Sequence, residues 1–140
     1  MVYKKFTSKS TQETKRLGFC WAEKVKKGGV LALYGELGAG KTTFVQGIAS
    51  GLKIKQTVNS PSFIVVNRYG VNNRQFFYHI DLYRIDNEEE IEELGIKEIL
   101  ADKKNIVAIE WPEELEKWLP KNTIKIYFRN KEKNKREIVF

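Results

Sequence analysis

Apolar positions along the chain follow two periods, one of strands and one of helices. Val30-Leu31-Ala32-Leu33-Tyr34 is an unbroken apolar run closed by glycine, the pattern of a strand buried on both faces. Ile106-Val107-Ala108-Ile109 is a second such run, ending at Glu110. Thr42 to Leu52 carries helical spacing in spite of Gly47. Upstream, Ser10-Thr11-Gln12-Glu13 reads as a capping box, a serine N-cap with a glutamate three residues on. The helix it opens places Leu17, Cys20, Trp21 and Val25 on one face, up to Gly28-Gly29, so Cys20 is expected in the core. Phe63 to Tyr69 and Gln75 to Asp81 predict two strands joined by a turn over Gly70-Val71-Asn72-Asn73-Arg74. Asn87-Glu88-Glu89-Glu90 opens an acidic helix, broken at Gly95 and resumed through Ile99-Leu100. Thr123 to Phe128 and Arg136 to Phe140 predict a final hairpin. Strands interleaved with helices predict an α/β domain, and the hairpins predict a mixed sheet.

Nothing divides the chain. Prolines occur only at 61, 112 and 120, no repeat or low-complexity linker is present, and 140 residues suit one domain. No run nears the ~20 apolar residues of a membrane span, and Met1 to Phe6 carries no apolar signal core. One cysteine and one histidine exclude a disulfide framework, a multi-cysteine zinc site and a histidine-rich metal cage. The expectation is a cytoplasmic protein without a membrane partner.

Gly35-Glu36-Leu37-Gly38-Ala39-Gly40-Lys41-Thr42 meets G-x-x-x-x-G-K-[ST] at every required position, between the first buried strand and a helix. Glycines there let backbone N–H groups turn inward around phosphate oxygens, and the helix start faces the same anion. Lys41 would reach the outer phosphates and Thr42 would bind Mg²⁺. The fold expected is a P-loop NTPase-like, three-layer α/β domain with a mixed central sheet. Such a site also needs a carboxylate, because Mg²⁺ takes oxygen ligands, usually one or two carboxylates. Two strand ends offer one, Glu110 and Asp81. Alternation along the strand puts His79 and Asp81 on the same face.

Four blocks then occur in order. The P-loop extended to Thr43 is followed by Ser60-Pro61-Ser62-Phe63, His79-Ile80-Asp81-Leu82-Tyr83-Arg84 and Ile109-Glu110-Trp111-Pro112. In this the chain resembles the bacterial TsaE (YjeE) family of P-loop ATPases, required for threonylcarbamoyladenosine in tRNA, over roughly residues 10 to 138. The resemblance implies that Gly38, Ala39, Gly40, Lys41, Thr42 and Thr43 hold ATP, and that Thr42 and Glu110 are the Mg²⁺ positions. It implies a switch-like loop at Ser60 and Ser62, the latter a threonine in most of the family, and places Thr11 and Arg136 beside the nucleotide. Lys41, Asp81, Glu110 and Arg84 would carry catalysis, with His79, Tyr83 and Trp111 completing the motif. The implied partners are TsaD and TsaB, with tRNA met through their complex, and the chain's own reaction would be ATP hydrolysis.

Other functions would need other residues. A small-metabolite kinase requires an acceptor pocket and an arginine-bearing lid, but residues 86–98 are rich in glutamate. Guanine recognition requires an aspartate that Asn130-Lys131-Glu132-Lys133 lacks. Charge leaves a further reading open. The net +7 divides into +6 over residues 1–27, +6 over 117–140 and −5 between. Such basic flanks could serve an RNA-binding module, with Lys4, Lys5, Lys117, Lys121, Lys125, Lys133 and Lys135 interleaved with Tyr3, Phe6, Trp118 and Tyr127.

Overall fold

A computed structural model describes residues 3–59 and 65–140. Seven strands form one sheet: β1 (Lys5–Ser8), β2 (Gly29–Gly35), β3 (Val66–Asn72), β4 (Gln75–Asp81), β5 (Ile106–Glu110), β6 (Ile124–Asn130) and β7 (Arg136–Val139). Their order across the sheet is β1-β7-β6-β2-β5-β4-β3. The two apolar runs lie at its centre, β2 pairing in parallel with both β5 and β6. Beyond them β4 is parallel to β5, while β3, β7 and β1 add antiparallel at the two edges. The expected mixed sheet is therefore present.

Alternation sorts the strand residues into two cores. Leu31, Leu33, Phe77, Ile106, Ala108, Ile126 and Phe128 face helices α1 (Thr11–Val25) and α2 (Lys41–Gly51). Val30, Ile80, Val107 and Ile109 face the opposite layer. That layer contains α3 (Glu88–Glu93), α4 (Ile96–Ala101) and a 3-10 helix at Pro112–Trp118, through Ile91, Ile96, Leu100 and Leu115. Helices thus cover both faces of the sheet, giving the three layers. Gly95 sits between α3 and α4 with φ +71°, a left-handed turn that breaks the acidic helix where the sequence indicates.

Half of the capping box forms: Ser10 Oγ accepts from the Glu13 N–H at 3.1 Å, while the Glu13 carboxylate accepts from the N–H of Lys9, one residue before the cap. The buried face of α1 differs from expectation, however. It comprises Thr14, Gly18, Trp21, Ala22 and Val25, whereas Cys20 is exposed and Leu17 only half-buried. The cause is the approach of α2. A Cβ on Gly18 would lie 2.2 Å from the Phe44 carbonyl oxygen, and one on Gly47 would lie 2.1 Å from that of Lys15. Small residues set the contact line, and Cys20 falls outside it. The same contact explains a glycine inside α2.

Other boundaries shift. β3 begins at Val66 and continues through Gly70 with a register shift, leaving a turn of only Asn73-Arg74, where Asn72 Oδ1 accepts from the Arg74 N–H at 3.0 Å. Phe63 lies outside the described residues. β1 and the 3-10 helix are additions.

The glycine seam yields a test of the packing. In an exposed helix a larger residue at Gly47 would gain up to ~1 kcal/mol in propensity. Here Gly47→Val should instead lose about 2 kcal/mol or more, since overpacking forces backbone shifts. Urea unfolding measures it, and an unchanged midpoint would contradict the close approach of α1 and α2.

Candidate functional site

The loop between β2 and α2 is built on left-handed backbone. Gly38 has φ +78° and Gly40 has φ +102°, conformations that L side chains rarely adopt. A Cβ on Gly38 would meet nothing within 4 Å, so the loop faces open space there. Gly40 is the N-cap of α2 and brings no side chain to its first amides, which remain available to an anion. Ala39 is buried beneath the loop, and Thr43 lies half-buried in the first turn.

Arg136 reaches this loop from the far end of the chain. Its Cδ would lie 3.0 Å, and its Nε 3.3 Å, from a Cβ on Gly40. Register pairs Arg136 with Ser8, so Thr11, exposed three residues later, belongs to the same end of the sheet.

Lys41 is 4 % exposed. Its Nζ donates to the Gly35 carbonyl and lies 3.6 Å from the Trp111 ring centroid. Burial lowers its pKa from the ordinary lysine value, against the opposing charges of Glu110, Glu113 and Asp81. Trp111 holds its place with left-handed backbone, φ +59°, at the start of the 3-10 helix, and the exposed Tyr83 ring packs 5.0 Å from it.

Glu110 ends β5, opposite Asp81 of β4. Thr42 Oγ1 donates to its two carboxylate oxygens at 2.9 and 3.0 Å, and His79 Nε2 lies 2.5 Å from Oε2. Asp81 Oδ1 accepts from the Tyr83 N–H at 3.0 Å, shaping the turn that carries exposed Arg84. Among the described residues Arg84 forms no ion pair with the acidic helix. Glu113, overlooked in the sequence, adds a charge acting on Lys41. Pro112 signals it, since proline favours a first helical position. The Ser60-Pro61-Ser62-Phe63 block lies outside the described residues.

The basic flanks are partly neutralised. Lys5 pairs with Glu137 at 3.6 Å, Lys125 with Glu116 at 3.0 Å, and Lys117 with Glu88. Trp118 lies under Lys97 and Lys117, and Tyr127 stacks on Tyr34 at 4.9 Å, so these rings already have partners. The helices contribute no membrane span: among the described residues none is long and apolar enough to cross one.

The family model described as "Threonylcarbamoyl adenosine biosynthesis protein TsaE" matches residues 8–138. The chain belongs to the TsaE family. The tRNA threonylcarbamoyladenosine biosynthesis protein TsaE of Bacillus subtilis is 38 % identical over 136 residues, covering 97 % of this chain and 84 % of that one. The TsaE of Treponema pallidum is 36 % identical over 131 residues, covering 94 % and 95 %. A crystal structure of YdiB from Bacillus subtilis superposes with a TM-score of 0.81 at 32 % identity, over 99 % of this chain and 84 % of that one. The resemblance carried by the four sequence blocks is therefore borne out, and the TsaE fold extends across both core layers.

The burial of Lys41 yields opposite expectations for stability and binding. Lys41→Met removes a buried ammonium, so the nucleotide-free protein should unfold at the same or a higher denaturant midpoint. A ligand at 100 times its Kd stabilises a protein by about 2.7 kcal/mol, and the variant should lose most of that gain with ATP and Mg²⁺. Thermal shift with and without nucleotide reads both, and an undiminished ATP-induced shift would overturn the phosphate role of Lys41.

Proposed function

We propose that this TsaE-family chain is a Mg²⁺-dependent ATPase that serves the formation of threonylcarbamoyladenosine in tRNA. The observation that carries the reading is the convergence of the open, left-handed P-loop with the Thr42–Glu110 pair at the end of β5. The residues fit the metal: one hydroxyl and one carboxylate, beside a phosphate cradle, match a cation that retains water and binds substrate phosphates.

In this reading the amides of Gly38, Gly40 and Lys41 to Thr43 hold the β- and γ-phosphates, while the Ala39 N–H closes the loop on the Glu36 carbonyl at 3.1 Å, and Lys41 exchanges the Gly35 carbonyl for phosphate oxygen. Thr42 and Glu110 would hold Mg²⁺, which offsets charge developing on the phosphates during hydrolysis. Asp81 supplies a second carboxylate at the same strand level. Arg136, against Gly40, and Thr11 flank the nucleotide. Ser60 and Ser62 act as the switch-like loop near the γ-phosphate.

Hydrolysis rather than transfer is the chain's own reaction, and TsaD with TsaB are its partners, bringing it to tRNA in the cytoplasm. Phosphoryl transfer depends on positioning and charge stabilisation, and Arg84 stands exposed on the turn after β4, free of ion pairs among the described residues. Docking would bring it to the γ-phosphate.

Glu110→Gln keeps the shape and loses the charge, so ATP turnover should fall by about 100-fold or more while nucleotide binding is largely retained; loss of even an outer-shell partner costs about 10–100-fold. Asp81→Asn should follow in the same direction. A fully active Glu110→Gln protein in a single-turnover assay would refute the reading, and a silent Asp81→Asn would reduce Asp81 to a turn residue.

Partner activation has its own measurement. Turnover should rise when TsaB and TsaD are added, and Arg84→Ala should lose most of that rise but keep nucleotide affinity. Equal turnover with and without the two proteins would discard activation, and phosphorylation of a small metabolite by the isolated chain would favour a kinase.

A further inference from the structure

His79 is fully buried, it is the chain's one histidine, and the proposed hydrolysis assigns it no task. Its location follows from strand geometry. β4 and β5 are parallel neighbours in the register Phe77↔Ile106, His79↔Ala108 and Asp81↔Glu110. Phe77, Ile106 and Ala108 lie in the core beneath α1 and α2, so alternation sends His79 and Glu110 to that same face. There Nε2 meets Glu110 Oε2 at 2.5 Å.

Glu110 is 3 % exposed, so its charge depends on the donors that replace water. Two side chains reach it, from different elements: Thr42, donating from the start of α2, and His79 from β4. Thr42 cannot fix the carboxylate alone, because its one proton is shared between both oxygens at nearly equal distances. His79 breaks that symmetry by engaging Oε2. An imidazole facing a carboxylate carries its proton on the facing nitrogen. Nδ1 has no partner among the described residues, so the ring's polar contact there is with Glu110. A fixed, single-ended donor results.

We propose that His79 is a positioning residue for Glu110: its Nε2–H holds Oε2 and so orients Oε1 toward the cation that accompanies the nucleotide. The proposal rests on the reading of Glu110 as the Mg²⁺-side carboxylate. Outer-shell donors of this kind, on removal, typically cost 10–100-fold in metal affinity or activity.

The test uses the full chain, a fluorescent non-hydrolysable ATP analogue and a Mg²⁺ titration. His79→Leu should raise the Mg²⁺ concentration needed for half-maximal tightening of nucleotide affinity by about 10–100-fold, while metal-free affinity stays as in the wild type. His79→Gln, whose amide nitrogen reaches the Nε2 position, should restore most of the loss; His79→Asn, which reaches only the Nδ1 position, should not. In the Glu110→Gln background, adding His79→Leu should shift the Mg²⁺ dependence no further. A folded His79→Leu protein with wild-type Mg²⁺ dependence overturns the positioning role, as does an equal shift in the Leu and Gln variants. Should His79→Leu fail to fold, the Gln and Asn pair decides: a wild-type response in both overturns the role, and a shift in Asn alone supports it. Wild-type affinity indifferent to Mg²⁺ would instead remove the reading of Glu110 beneath it.

Discussion

A carboxylate taken out of water costs several kcal/mol unless donors replace its hydration, and Glu110 sits at the end of β5 almost wholly out of solvent. That constraint ties three elements to one point. β5 delivers the carboxylate, α2 delivers the Thr42 hydroxyl, and β4 delivers the His79 imidazole. Each element is fixed elsewhere by apolar packing. β2, β5 and β4 share a parallel register, and α2 lies on the sheet with Phe44, Val45 and Ile48 buried. The polar cluster therefore depends on the core and in turn specifies its alignment: a one-residue slip of β4 would turn His79 to the opposite face and leave the carboxylate underdonated.

The parts of this arrangement that were legible in the sequence are those whose signal is local. Two continuous apolar runs mark the central strands because both faces are covered. The P-loop is legible because its glycines, lysine and threonine are contiguous. The cap at Ser10 and the break at Gly95 follow from one or two residues each. What was not legible depends on distant partners. The buried face of α1 is chosen by the glycines of α2, so Leu17 and Cys20, the larger apolar side chains, lose to Gly18 and Ala22. β1 is four residues of mixed polarity that become a strand only against β7. Glu110 and Asp81 could be named as candidates, but the bond from His79 to Glu110 required the register of β4 with β5.

Charge follows the same division between local and distant information. The segregation into basic flanks and an acidic middle is plain in the sequence, yet chain folding lays the segments across one another. Lys117 meets Glu88, a carboxylate of the acidic middle, while Lys5 and Lys131 share Glu137. Exposed pairs of this kind contribute little stability. Their effect is to reduce the positive field that the flanks would otherwise present.

The pairing of β1 with β7 bears on how the protein is made. Lys5 lies opposite Val139, and Ser8 opposite Arg136, so two strands about 130 residues apart in the chain seat one another. Contacts this distant in sequence are the slowest to form, because loop closure must precede any gain from them. A nascent chain that has emerged only through β6 already contains the glycines, Lys41, Thr42 and Glu110. It lacks β7, and with it the Arg136 side chain beside Gly40 and the strand on which β1 pairs. The elements that carry Lys41, Thr42 and Glu110 therefore precede in the chain the long-range pairing that sets Arg136 against the glycine loop.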